Sequence, residues 1–165
     1  MPFMMIFVII VIALITVSGI YGGQELLSSS KSSKAIQEVA QVTANIQGAY
    51  ANAATFSTLT VPVAITDKLV PANMISGTTI VNPYGGDITL GPDATYTNGF
   101  DLTEQGLDSG ACASLATGVT AYAIDINGTQ VASGNQAVDP STAAADCTQA
   151  GTGNTVMFVE TQANG

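Results

Sequence analysis

Few of the 165 residues of this chain can do chemistry, and the absences narrow the field first. There is no histidine. Without imidazole, Ser-His and Cys-His nucleophile pairs, histidine metal sites and imidazole general bases are all excluded. Carboxylates remain, and Asp87 with Asp93 or Asp101 with Glu104 are the candidate pairs for acid–base work. With 12 acidic residues against 3 basic ones, acids at turns and strand ends read instead as solvated side chains. The run Asp87-Ile88-Thr89-Leu90-Gly91-Pro92-Asp93 is too sparse in oxygen ligands for a calcium loop. The expectation is therefore a non-enzyme with no cofactor and no metal. Asn127-Gly128-Thr129 matches the glycan acceptor pattern, yet the same residues make a natural tight hairpin turn, which is the preferred reading.

Cys112 and Cys147 are the remaining reactive pair. In an acidic, Thr/Asn/Gly-rich stretch without histidine they read more naturally as a disulfide than as a zinc site, which places that part of the chain outside the cytoplasm. Joined, they would close a loop of about 35 residues, worth roughly 4 kcal/mol on the chain-entropy account. The net charge of -9 excludes nucleic acid as a partner and a polybasic attachment to anionic lipid. Lys31, Lys34 and Lys68 are the only cations, and a simple positive-inside count over the first two would put that flank in the cytoplasm. The cysteines are the better compartment marker.

The elements that must position these residues begin with residues 3 to 23, which carry no charged side chain. As a helix they would span roughly 30 Å, about one bilayer core. Three readings stand: a cleaved signal, a generic single-pass anchor, or a helix that leaves the membrane to pack against identical helices in a filament. Met1-Pro2 supplies no basic n-region, which weakens the first. Beyond Gly23 the pattern turns periodic. Leu26, Leu27 and Ser30 lead into Ile36, Val39, Thr43, Ile46 and Tyr50, a one-sided helical stripe. The helix is expected to run to about residue 54, with a bend or local melting at Gly19, Gly22 and Gly23. The Ser28 to Ser33 stretch reads alternatively as a flexible linker; the stripe after it favours one long helix. The divisions are 1–23 as the apolar half-helix, 24–54 as the amphipathic half and 55–165 as a globular head.

From Thr55 to Val81, interrupted by Pro62 and Pro71, the pattern predicts an extended loop with one short helix near Asp67 to Met74. Strands are predicted at Thr78 to Val81, Asp87 to Leu90 and Thr95 to Leu102, each bounded by turn residues. Asp108 caps a helix through about Thr117, and Asp139-Pro140 starts another. Between them Ala121 to Ile126 and Thr129 to Ala132 form a hairpin, and Thr155 to Glu160 reads as a central strand added last.

The layout resembles a type IV pilin of the type IVb branch, similar to the bundle-forming and conjugative thin-pilus pilins. The resemblance rests on Ile36-Gln37-Glu38-Val39 with Ala44 to Tyr50, on Asn82-Pro83-Tyr84-Gly85-Gly86 with Leu90-Gly91-Pro92, on Leu107 to Thr117 around Cys112, and on Ala143-Ala144-Ala145-Asp146-Cys147. It covers about residues 35 to 160. It implies an α+β lollipop: a long N-terminal helix on an antiparallel β-sheet, with a disulfide-bounded C-terminal region on the exposed edge.

It further implies a major structural subunit that waits in the inner membrane, is processed by a prepilin peptidase, and is lifted by assembly machinery into an extracellular homo-oligomeric filament. That filament meets a host or recipient cell surface. In this frame Phe3, Met4, Met5, Phe7, Ile10, Leu14 and Val17 belong to the filament core, and Ile36, Val39, Ile46 and Tyr50 tie helix to sheet. A tip-located minor pilin, a secretion pseudopilin and a membrane-anchored enzyme are the alternatives. One departure stands out: the glutamate that the family carries near its mature N-terminus is replaced here by Met4 and Met5.

Overall fold

The computed structural model of the chain describes residues 29–162. The proposed core residues Phe3, Met4, Met5, Phe7, Ile10, Leu14 and Val17, the Gly19, Gly22 and Gly23 join, and Leu26 and Leu27 lie outside the described residues. Among those described, no helix is long and apolar enough to cross a membrane.

Helix α1, described over residues 29–49, takes in the serines from Ser29 to Ser33, so these are helical and not a linker. Ala35, Glu38, Val39, Val42 and Ile46 recur at three- and four-residue spacings and are buried. Ile36 and Tyr50 pack against this core while partly exposed, Thr43 is likewise half-buried, and Ser30 is exposed. The helix ends at residue 49, short of the expected 54. Gly48 weakens its last turn, and the chain must then reverse so that Phe56 and Leu59, both fully buried, can enter the core. Phe56 stacks between Tyr50 and Phe100, with ring centroids 5.1 and 4.9 Å away.

A seven-stranded antiparallel sheet lies against α1, in the order β1-β2-β3-β4-β7-β5-β6. The strands are β1 (Ile75–Ser76), β2 (Thr79–Val81), β3 (Asp87–Pro92), β4 (Gly99–Leu107), β5 (Ala123–Ile126), β6 (Thr129–Ser133) and β7 (Asn154–Thr161). The last strand in sequence is inserted between β4 and β5, in the central place expected of its strand-like run. Register aligns two rows of side chains across the sheet. One is Leu90, Leu102, Phe158 and Ile124; the other is Ile80, Ile88, Glu104, Val156 and Ile126. All nine residues are buried.

Three local readings need correction. Val61–Thr66 is a helix, α2, where a loop was expected. Pro62 sits in its first turn, where a missing N–H costs nothing, and Thr60 caps it by accepting from the Val63 amide at 3.4 Å. The helix expected near Asp67 to Met74 shrinks to a single 3-10 turn, Ala72–Met74, because Lys68 adopts a positive φ of 57° and breaks the run. The strand predicted from Thr95 starts instead at Gly99: the Asp93 carboxylate accepts from the amides of Thr95 and Tyr96 at 2.7 and 2.6 Å and holds that stretch in a turn.

The other two helices stand as predicted, α3 (Ser109–Gly118) capped by Asp108 and α4 (Pro140–Asp146) capped by Asp139. At the β5–β6 turn Asn127 and Gly128 both have positive φ, 52° and 81°, the geometry a two-residue hairpin requires.

Glycine is demanded where the β2–β3 turn crosses the bulged end of β4. A Cβ on Gly86 would stand 1.9 Å from the Gln105 carbonyl oxygen, and Gly106 opposite it has φ 70°. Gly86→Ala is therefore expected to destabilise the head by about 1–3 kcal/mol, measured as a lowered urea midpoint with an unchanged m-value.

Candidate functional site

Two constructions stand out: the half-docked helix and the disulfide-bounded segment. Besides its apolar stripe, α1 is fastened to the head by polar ties. Ser32 and Tyr84 hydroxyls lie 2.8 Å apart, Asn73 Nδ2 donates to Glu38 Oε1 at 3.1 Å, and Asn45 Nδ2 donates to the Leu69 carbonyl at 2.9 Å. At the far end Gln162 Nε2 donates to the Tyr50 carbonyl. Ile36 rests on Gly118 at the end of α3; a Cβ there would meet its Cδ1 at 2.4 Å. The outward side of α1 carries Gln37, Ala40, Gln41, Ala44 and Gly48, all exposed. One face is thus committed to the head while the other carries two alanines, a glycine and two glutamines, none of them charged.

Cys112 in α3 and Cys147 at the C-cap of α4 form the disulfide, with Cα atoms 5.9 Å apart. Both are buried, so the bond pins two helices from inside the head while the segment between them supplies the outer hairpin β5–β6. Sequence reasoning missed a second fastening at the same place. Asn154 is wholly buried at the start of β7, where its Nδ2 donates to the carbonyls of Leu107 and Gln149, both at 3.2 Å. Its Oδ1 accepts from the Gln149 amide and from Asn127 Nδ2, each at 3.0 Å. Asn127 in turn donates to the Asp146 carbonyl at 2.8 Å and accepts from the Thr155 amide at 2.9 Å. The hairpin turn is therefore also a clasp between the second cysteine's helix and the central strand. The only signal for it in the sequence is an asparagine opening an otherwise apolar run.

The carboxylate pairs considered from sequence do not assemble. Asp87 and Asp93 flank opposite ends of β3. Asp101 and Glu104 are three apart on β4 and so face opposite sides of the sheet. Asp101 instead shares its side with Asp93 and Asp125. Burial, with the Asp93 charge second, pushes Asp101 up to about 6, and raises Asp125 for the same two reasons. Burial alone lifts Glu160 to about 7, beside Thr43 and Gln47 of α1. No group of three metal-ligating residues forms among the described residues.

A helix laid on an antiparallel sheet with a stapled C-terminal segment has direct counterparts. Residues 18–161 match the family described as PilS N terminal. The chain is 31% identical over 164 residues to the major structural subunit of bundle-forming pilus of Escherichia coli O127:H6, covering 88% of this chain and 85% of that protein. The chain belongs to the type IVb pilin family. The same subunit from Escherichia coli O111:H- matches at 31% over the same shares. The fold is also that of the type IV b pilin from Salmonella typhi, with TM-score 0.64, 22% identity, and coverage of 78% of this chain and 98% of that one. TcpA, a type IV pilin from Vibrio cholerae El Tor biotype, superposes with TM-score 0.58 at 17% identity, over 80% of this pilin and 99% of its own chain.

Two changes test the stapled segment. Cys112→Ser with Cys147→Ser is expected to cost this pilin about 2–5 kcal/mol, read by thermal unfolding with and without reductant, which should shift the wild type and leave the variant unmoved. Asn154→Ala, which strands buried donors and acceptors on both sides, is expected to cost about 1–3 kcal/mol and to release the 147–153 amides to hydrogen exchange.

Proposed function

We propose that this pilin is the major structural subunit of an extracellular type IVb pilus, polymerising through its N-terminal apolar helix. The observation that carries this is the likeness, over 88% of the chain, to subunits named for exactly that structural role in bundle-forming pili, joined to an uncharged stretch from residue 3 to 23. Each apolar side chain fully buried among sibling helices gains about 1.5–3 kcal/mol over exposure to water. Such a segment leaves lipid only for an equally apolar fibre core. Phe3, Met4, Met5, Phe7, Ile10, Leu14 and Val17 form that core in this reading, and Gly19, Gly22 and Gly23 let the helix bend or melt where the head begins.

The subunit waits in the inner membrane, meets a prepilin peptidase and the assembly machinery, and ends on the cell surface facing a host or recipient cell. It acts as a building block and not as an enzyme. With Met4 and Met5 in place of the family's acid, no buried carboxylate needs a partner in the core, and side-chain packing sets the register.

The test places a charge in the rod. Leu14→Asp is expected to abolish filaments in material sheared from cells and imaged by electron microscopy. The subunit should still accumulate with its disulfide formed. Normal filaments from this variant would remove the apolar rod from the fibre core.

A further inference from the structure

The row of side chains crossing the sheet beneath α1 is hydrocarbon at Ile80, Ile88, Val156 and Ile126, and its remaining member is Glu104. Glu104 is 0% exposed, and neither of its carboxyl oxygens has a hydrogen-bonding partner. On α1, Glu38 is 7% exposed. Its Oε1 accepts from Asn73 and lies 3.6 Å from Lys34 Nζ, but its Oε2 is buried and also unpartnered. Three buried carboxyl oxygens at the helix–sheet junction thus lack a donor.

The neighbouring groups give it little: Asn82 Nδ2 spends one N–H on the Gln105 carbonyl at 2.8 Å and only its second reaches toward Glu104, and the Tyr84 hydroxyl is bonded to Ser32. The strand neighbours of Glu104, Ile88 and Val156, carry no charge. Unpaired carboxylates do not persist in such surroundings; they take up a proton.

We propose that Glu104 folds as the neutral acid and donates its proton to Oε2 of Glu38, forming a proton-dependent clasp between the spine helix and the sheet. The titratable groups around it are Glu38 on α1, itself paired with Lys34, and Tyr84 on the β2–β3 turn, which also feels Asp108. Burial pushes Glu104 from its ordinary 4.5 up to about 7, the Asn82 amide opposes this, and the Glu38 charge adds to it. Because the folded chain holds this proton more tightly than the unfolded one, the stabilisation is complete below pH 4.5. It declines as pH rises and is gone above about 7. The clasp would hold α1 tightest to the head in acid and loosen it toward alkaline pH.

Hydrogen exchange on the full chain in detergent micelles, corrected for intrinsic rates, tests this at pH 5.5 and 8.5. Protection of the amides of residues 29–49 should fall on the order of tenfold between the two in the wild type. Glu104→Gln supplies a permanent donor to Glu38 and should abolish the change. Glu38→Gln supplies one to Glu104 and should shrink it, which keeps the test alive if the first variant fails to fold. Glu160→Gln is the control, since Glu160 is also pushed up to about 7 and also lies beside α1; it should leave the change intact. A flat wild-type response, an unchanged response in either clasp variant, or its loss in Glu160→Gln would overturn the proposal.

Discussion

One helix has to satisfy two environments, and the rest of the head is arranged around the face it buries. From Ala35 to Ile46 a narrow stripe of one or two residues per turn enters the core, backed by Leu102 and Phe158 from the sheet and by Phe56 from the chain that returns past the helix end. A narrow stripe alone is a weak bond. The polar ties at Ser32, Glu38, Asn45 and Tyr50 therefore recur along the helix about every second turn. Each partner of these ties comes from a connection or a chain end, which explains why long irregular stretches between residues 50 and 86 are nevertheless well packed.

Much of this was legible in the sequence, and the divide between what was and was not is physical. Signals acting within a few residues came through: Asp108 and Asp139 as caps, Asn127-Gly128 as a turn, and the strand-like run from Thr155 to Glu160. Pro62 misled because the same ring that breaks a helix interior suits a first turn, and only the cap at Thr60 tells the two apart. The stripe on α1 was drawn through Ile36, Val39, Thr43, Ile46 and Tyr50; Val39 and Ile46 are buried, while Ile36, Thr43 and Tyr50 are only partly so and Ala35, Glu38 and Val42 enter the core beside them. Alanine and glutamate carry no apolar signal, so tertiary contact and not periodicity decides their side.

The residues that sequence reasoning could not place are the buried polar ones. Asn154 and Glu104 occupy positions where strand alternation calls for hydrocarbon, and nothing local reveals whether such a residue points inward. Their solutions differ. Asn154 meets carbonyls and amides on every side and becomes a hub, so its burial fixes the geometry of the C-terminal segment. Glu104 meets hydrocarbon and another acid, so its burial fixes a protonation state.

The same economy of charge bears on self-association. A subunit of net charge -9 with three lysines repels its own copies, and contact between them has to offset that repulsion. Asp101, Asp125, Glu104 and Glu160 are all raised by burial, so the head gives up part of its negative charge more readily than an unfolded chain would as pH falls. Folding thus removes some of the repulsion that polymerisation must meet.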